Sequence, residues 1–320
     1  MSALTLRGPA WVAVRQHRRT LWTGLVLLAL FAGILLYWRL RAGVPDDFAG
    51  TGCTVINATP GCRDQVRHYL STANSLNAWF TYLGLALALL PAALGAFVAG
   101  PMIAREFESG TYQLAWSQSV SPARWLAAKL VTPAAVAVVS LSVFAVFYRW
   151  TWVSGASGEF PRHWYEPWQF VGLGPLPVAY ALLGIAVGAL TGLLVRRTVP
   201  AMTVAALTTG VISLAFVLRL RAHLMPVSTV QDYRLLGEHD WTVQQGVVTA
   251  AGRRFSIEDC FAGRYRTSPC ASPATGDVPF IDYHPATHFW PLQLIETGIV
   301  LVLAAVAAYA AFRVLRRRHA

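Results

Sequence analysis

Few residues in this chain have types and spacings that could do chemistry. Glu296 is a lone carboxylate within a long apolar run, and an acid at such a position faces either a protein interior or a water-filled path. It could hold a substrate group or a proton, pair with an outer arginine such as Arg219, or meet water near the surface. His284 and His288 stand four apart, the spacing of two ligands on one helix face, but Pro285 lies between them and no His-Glu-x-x-His pattern accompanies them. The expectation is therefore no metal. Lys129 is the sole lysine among 26 basic residues, and no Gly-x-x-x-x-Gly-Lys-Ser/Thr surrounds it, so the chain lacks a phosphate-cradling P-loop. An intramembrane enzyme, for instance a lipid-modifying transferase, would need a cluster of His, Cys or acids around Glu296. An ion-coupled secondary transporter would need several intramembrane polar groups or internal repeats. Neither pattern is evident.

These residues are placed by apolar helices. The chain has 320 residues, 55% of them hydrophobic and only 13% charged, against about 25% charged in soluble domains. Six segments reach the roughly 20 apolar residues that cross a bilayer: 21–38, 77–100, 128–149, 173–195, 200–218 and 291–312. The first is too long for a signal peptide and ends at Tyr37-Trp38-Arg39 without a small-residue cleavage site. The expected fold class is an all-α membrane protein with six transmembrane helices. Its parts are an interfacial N-terminal segment 1–20, helices one to five over 21–218 with a loop at 101–127, a structured loop 219–290, and the last helix with a basic tail over 291–320.

Charge sets the orientation. With the N-terminus inside, the inner segments carry 13 basic residues and only Glu106 and Glu108 as acids, whereas the outer ones carry 13 basic and 12 acidic residues. Both termini are therefore expected in the cytoplasm. The net charge of +11 reads as a topology signal beside membrane lipid, and no nucleic-acid partner is expected. All four cysteines then fall in outer loops. Three pairings exist for them, and the local ones, Cys53–Cys62 and Cys260–Cys270, are the simplest. Gly184, Gly188 and Gly192 line one face of the fourth span, where they allow close helix approach within one chain or between two. Pro91 should kink the second span.

The loop 101–127 is the most constrained stretch. The second span continues into Arg105-Glu106-Phe107-Glu108-Ser109, Gly110 sits where a left-handed helix-ending residue belongs, and Ser121-Pro122 starts a new helix. Glu106 and Glu108 would pair with arginines of a soluble partner, or Arg105 and Glu108 would form an i,i+3 pair on a solvated helix end.

The run Ile103-Ala104-Arg105-Glu106-Phe107-Glu108-Ser109-Gly110-Thr111, followed by Leu114-Ala115-Trp116-Ser117-Gln118-Ser119 and Trp125-Leu126-Ala127-Ala128-Lys129, resembles the permease subunits of bacterial ABC exporters. That family has six spans per subunit and a long last outer loop. The resemblance covers about 30 residues closely and the remainder only in span count, loop lengths and a basic amphipathic N-terminus. It implies that Arg105, Glu106, Phe107, Glu108, Gly110, Thr111 and Trp116 form a surface coupled to a separate ATP-binding subunit. It further implies that ATP and Mg are bound by that partner with no cofactor in this chain, which is then itself no enzyme. Two permease chains, identical or paralogous, would assemble in a bacterial plasma membrane, and the N-terminal segment would be an interfacial helix.

Overall fold

The computed structural model describes residues 26, 29–37, 40, 60–117, 121–153, 162–262 and 276–319. Among them, five helices are long and apolar enough to cross a membrane: Arg63–Ser109, Pro122–Val153, Leu176–Val195, Thr198–His223 and Ala286–Arg317. Residues 29–37 are helical where the first span is expected. The interfacial segment 1–20 lies outside the described residues. So do Cys53, Cys270 and the side chain of Cys260, on which the two disulfide expectations rest.

The second span is longer than its apolar stretch. Helix α1 (Arg63–Leu94) begins well before residue 77, where the second span is expected to start, with Asp64 in its first turn complementing the positive helix end. Pro91 removes a donor within the helix, and the chain then passes through a π-helical turn, Gly95–Ala99, into α2 (Gly100–Ser109). Gly110 takes φ 73° and stops α2, a conformation glycine adopts without a Cβ penalty. A short helix α3 (Tyr112–Ser117) follows. Helix α4 (Pro122–Val153) is opened by Ser121, whose hydroxyl accepts the Arg124 N–H at 3.4 Å.

Next come α5 (Pro167–Gly172), α6 (Leu176–Val195) and α7 (Thr198–Ala215). The last continues through a π-helical turn, Phe216–Leu220, and a 3-10 turn, Arg221–His223. Helix α6 is the centre of the bundle: 15 of its 20 residues are buried, and α1, α2, α4, α7 and α9 (Phe289–His319) pack around it. Its glycines face the second span. A Cβ on Gly184 would lie 2.3 Å from the Pro91 carbonyl oxygen, one on Gly188 2.7 Å from that of Gly95, and one on Gly192 2.9 Å from that of Gly100. The stripe thus packs two backbones together inside one chain. In contrast, α4 leaves Val131, Val139, Val143 and Val146 exposed, as a helix facing lipid would.

Between α7 and α9, where a structured loop is expected, the chain forms a four-stranded antiparallel sheet of β1 (Ser228–Val230), β2 (Trp241–Val248), β3 (Arg254–Ser256) and β4 (Val278–His284) in the order β1-β4-β2-β3. A short helix α8 (Ile257–Ala262) follows β3. Strand alternation is hard to see here because Phe280, Ile281, Asp282 and His284 of β4 are all buried. Burial of Asp282 is compensated by the Thr229 hydroxyl at 2.6 Å and by an ion pair with Arg254, whose guanidinium also covers the Phe280 ring.

Candidate functional site

The stretch α2–α3 is fastened to three neighbouring spans. Glu106 leaves α2 toward α4, where Trp125 and Lys129 are one turn apart: its carboxylate accepts from Lys129 Nζ at 2.5 Å and Trp125 Nε1 at 3.1 Å. Both partners of the ion pair are largely withdrawn from solvent, which makes it stronger than an exposed pair. Glu108 reaches the first residue of α7, accepting from the Thr198 N–H at 3.1 Å and from its hydroxyl at 2.5 Å. The N-cap residue of α7, Arg197, makes no side-chain cap bond. Glu108 therefore supplies from another helix the negative charge that a helix start favours.

Aromatic rings fill the space between these two ties. Phe107 stacks on Tyr112 with centroids 4.6 Å apart, Tyr112 meets Trp116 at 4.8 Å, and Trp125 stands edge-on to both Phe107 and Trp116 at 6.0 Å. Such pairs add stabilisation beyond burial alone. Arg196 closes the box from the end of α6, its guanidinium 5.4 Å from the Phe107 ring centroid. It is the one non-glycine residue with positive φ, 56°, among those described, a costly backbone held where the surroundings over-determine it.

The structure thus gathers Glu106, Phe107, Glu108 and Trp116 into one cluster. Gly110 supplies its turn, and the Ser109 and Thr111 hydroxyls meet across that turn at 3.0 Å. Both acids are hydrogen-bonded within the chain, Glu106 partly buried and Glu108 exposed at the surface, and Arg105 acts on Glu108 only through space. The faces left exposed include Arg105, Ser109, Thr111 and Arg124. Sequence reading missed Trp125, Lys129, Arg196 and Thr198 as members of this cluster. The pairing of a sole lysine with a rare inner-face acid was the available signal.

Glu296 is fully buried and paired with Arg221, not with Arg219. Its carboxylate accepts from Arg221 Nε at 2.8 Å, Arg221 Nη2 at 3.0 Å and the Tyr180 hydroxyl at 2.8 Å. The π-helical turn just before Arg221 shifts the helix phase, which leaves Arg219 exposed and turns Arg221 inward. Three donors on both carboxylate oxygens make this a closed structural tie among α6, the end of the α7 span and α9, not an open binding group.

His284 and His288 face each other with Nδ1 atoms 3.0 Å apart, and His284 Nε2 donates to the Ala222 carbonyl at 3.0 Å. This ties β4 to both adjoining spans. Among the described residues, no group of three His, Cys, Asp or Glu side chains is arranged to hold a metal. Burial first, then the neighbouring His288 and His223, hold the His284 pKa below its ordinary value despite the Ala222 bond. A depressed folded-state pKa stabilises the fold above the ordinary imidazole range and ceases to do so as pH falls through the folded value. The melting temperature of the purified chain should therefore drop on acidification from about pH 7.5 to about pH 5, and His284→Gln should flatten that slope. An unchanged slope in the variant would refute this assignment.

Compared with known proteins, residues 25–221 match the sequence profile of a family described as ABC-2 membrane transporter related. No curated protein and no solved structure matches the chain.

Proposed function

The chain belongs to the ABC-2 membrane transporter related family, and from that premise we propose that it is the membrane-spanning subunit of an ATP-driven exporter whose ATP and Mg are bound by a separate subunit. It is a multi-pass membrane protein of transporter type. In the proposed arrangement six spans have both termini in the cytoplasm, the α2–α3 element faces the ATP-binding partner, and the sheet lies on the outer side. Two such chains, identical or paralogous, complete the path in a bacterial plasma membrane, with the outer cysteines available for disulfides.

The observation that carries this reading is the fastening of α2–α3. An element that converts a partner's motion into span movement must be short and rigidly joined to the spans. Glu106 joins it to α4, Glu108 to α7, and the ring box with Arg196 to α6. A partner pressing on the exposed residues of this element would move those helices together. An intramembrane enzyme or an ion-coupled carrier gains no comparable support, because Glu296 is closed off by Arg221 and Tyr180.

The chain purified alone should hydrolyse no ATP, and co-expression with its ATP-binding subunit should yield a complex that does. Replacing Glu106 and Glu108 together by alanine should leave membrane insertion intact. It should weaken association with the ATP-binding subunit, or the coupled activity, by at least about tenfold, since several charge-assisted bonds are lost. Pull-down and ATPase measurements on the complex check this. Wild-type association and coupling in the double variant would count against the role of this element.

A further inference from the structure

Helix α5 lies in the connection between spans three and four, where the sequence shows only an outer loop, yet Gln169, Phe170, Val171 and Gly172 are buried. Six residues have no helical stability of their own in isolation, so tertiary bonds must hold the segment in place. They come from four different spans. The Gln169 amide donates to Asn77 Oδ1 at 2.8 Å and Thr81 Oγ1 at 3.2 Å on α1, and its oxygen accepts from Trp152 Nε1 at 3.1 Å on α4. The Pro167 carbonyl accepts from Arg221 Nη1 at 2.9 Å beyond α7, and the Phe170 carbonyl from Gln293 Nε2 at 2.6 Å on α9.

The fit against α1 is equally close. A Cβ on Gly84 would lie 2.1 Å from the Trp168 carbonyl oxygen, so only glycine admits the α5 backbone there. The preceding residues are joined to the sheet: Trp164 Nε1 donates to the His239 carbonyl at 2.8 Å, and the Tyr165 ring lies parallel to Trp241 at 6.0 Å. The segment therefore sits as a wedge among the spans at the sheet-side end and is tied to the sheet above it.

We propose that residues 162–174 are a gate that seals the sheet-side end of the bundle and is released as one unit when that end opens; this rests on the permease reading. Phe170, Val171 and Leu173 of this segment are fully buried in the main core, and two features allow its release from that packing. The polar ties are side-chain bonds to a short segment, which water can replace without unravelling a span. Two of the Arg221 bonds, both to Glu296, do not involve the segment, so of its three bonds only the one to Pro167 must break on release. Discrete repacking of this kind is how switching elements work.

Hydrogen exchange on the full chain in nanodiscs tests the gate in two arms. In the first, the chain alone carries Gln169→Ala and Gln293→Ala. Exchange across 164–173 should rise by about tenfold or more from the lost bonds, with the flanking spans still protected. Loss of protection in those spans in step with the segment would make it part of the core and overturn the gate. In the second, the wild-type chain in complex with its ATP-binding subunit is compared nucleotide-free and loaded with a non-hydrolysable ATP analogue. Faster exchange over 164–173 on loading supports the gate. Unchanged exchange there, while 106–116 responds, overturns the gate and leaves the coupling element standing. Silence in both segments overturns the permease reading and the gate with it.

Discussion

Replacing Arg221 by methionine is expected to destabilise the folded chain by about 3–5 kcal/mol, the usual cost of leaving one partner of a buried ion pair uncompensated. Glu296 is fully buried and takes two of its three hydrogen bonds from this guanidinium. Without it, the carboxylate keeps only the Tyr180 hydroxyl and is left uncompensated in an apolar setting. The same substitution removes the Pro167 tie and the guanidinium that lies 4.1 Å from the Phe170 ring centroid. Adding Glu296→Leu should recover a large part of the loss, because an apolar pair of similar volume needs no desolvation of charge. Recovery should be incomplete, since the Tyr180 hydroxyl would then be left without its acceptor, at about 1–3 kcal/mol. Thermal denaturation of the detergent-solubilised variants checks the order wild type, double variant, single variant. A single variant as stable as wild type would refute the tie.

Gly184→Ala should cost about 3 kcal/mol, the upper part of the range for overpacking. The added methyl would sit 2.3 Å from the Pro91 oxygen and 2.8 Å from its Cα, and backbone atoms of a neighbouring helix cannot turn aside as a side chain does. The cost should fall along the stripe, from Gly184 to Gly188 and then Gly192, as the closest approach lengthens from 2.3 to 2.7 and 2.9 Å. Gly210 supplies the control. Nothing lies within 4 Å of its would-be Cβ, so Gly210→Ala should be neutral or stabilising by up to about 1 kcal/mol through helix propensity. Melting temperatures of the four variants measure the gradient. Equal effects at Gly184 and Gly210 would mean that close contact between α6 and the α1–α2 helix does not limit stability. Because the second span runs on into α2, forcing these helices apart would also displace the element that carries Glu106 and Glu108.

The parts of the site legible in sequence are those governed by local chemistry. A glycine after a polar helix end announced the left-handed stop at Gly110, and Ser121-Pro122 announced the start of α4. The four-residue spacing of Gly184, Gly188 and Gly192 announced a face for close packing, but not whether that face met this chain or another. Which arginine meets Glu296 was not legible, because a π-helical turn moved Arg221 inward and Arg219 outward by a phase change with no composition signature. The strands of the loop were obscured because β4 buries Asp282 and His284 beside Phe280 and Ile281, and a polar residue satisfied by distant partners erases the alternating pattern.

Sequence alone determined that this chain lives in a membrane and that its elements there are helices, because the hydrophobic effect and backbone hydrogen bonding act on every residue in a run and need no partner. It also determined where the unusual polar residues stand along those helices. Only the tertiary structure decided what they meet. Glu106 finds Lys129 and Trp125, Glu108 finds Thr198, Glu296 finds Arg221 and Tyr180, and Gln169 binds α1 and α4 to a six-residue helix. Each of these bonds joins residues distant in sequence, and a directional bond depends on where two helices cross and how each is rotated, quantities that no single stretch of chain encodes.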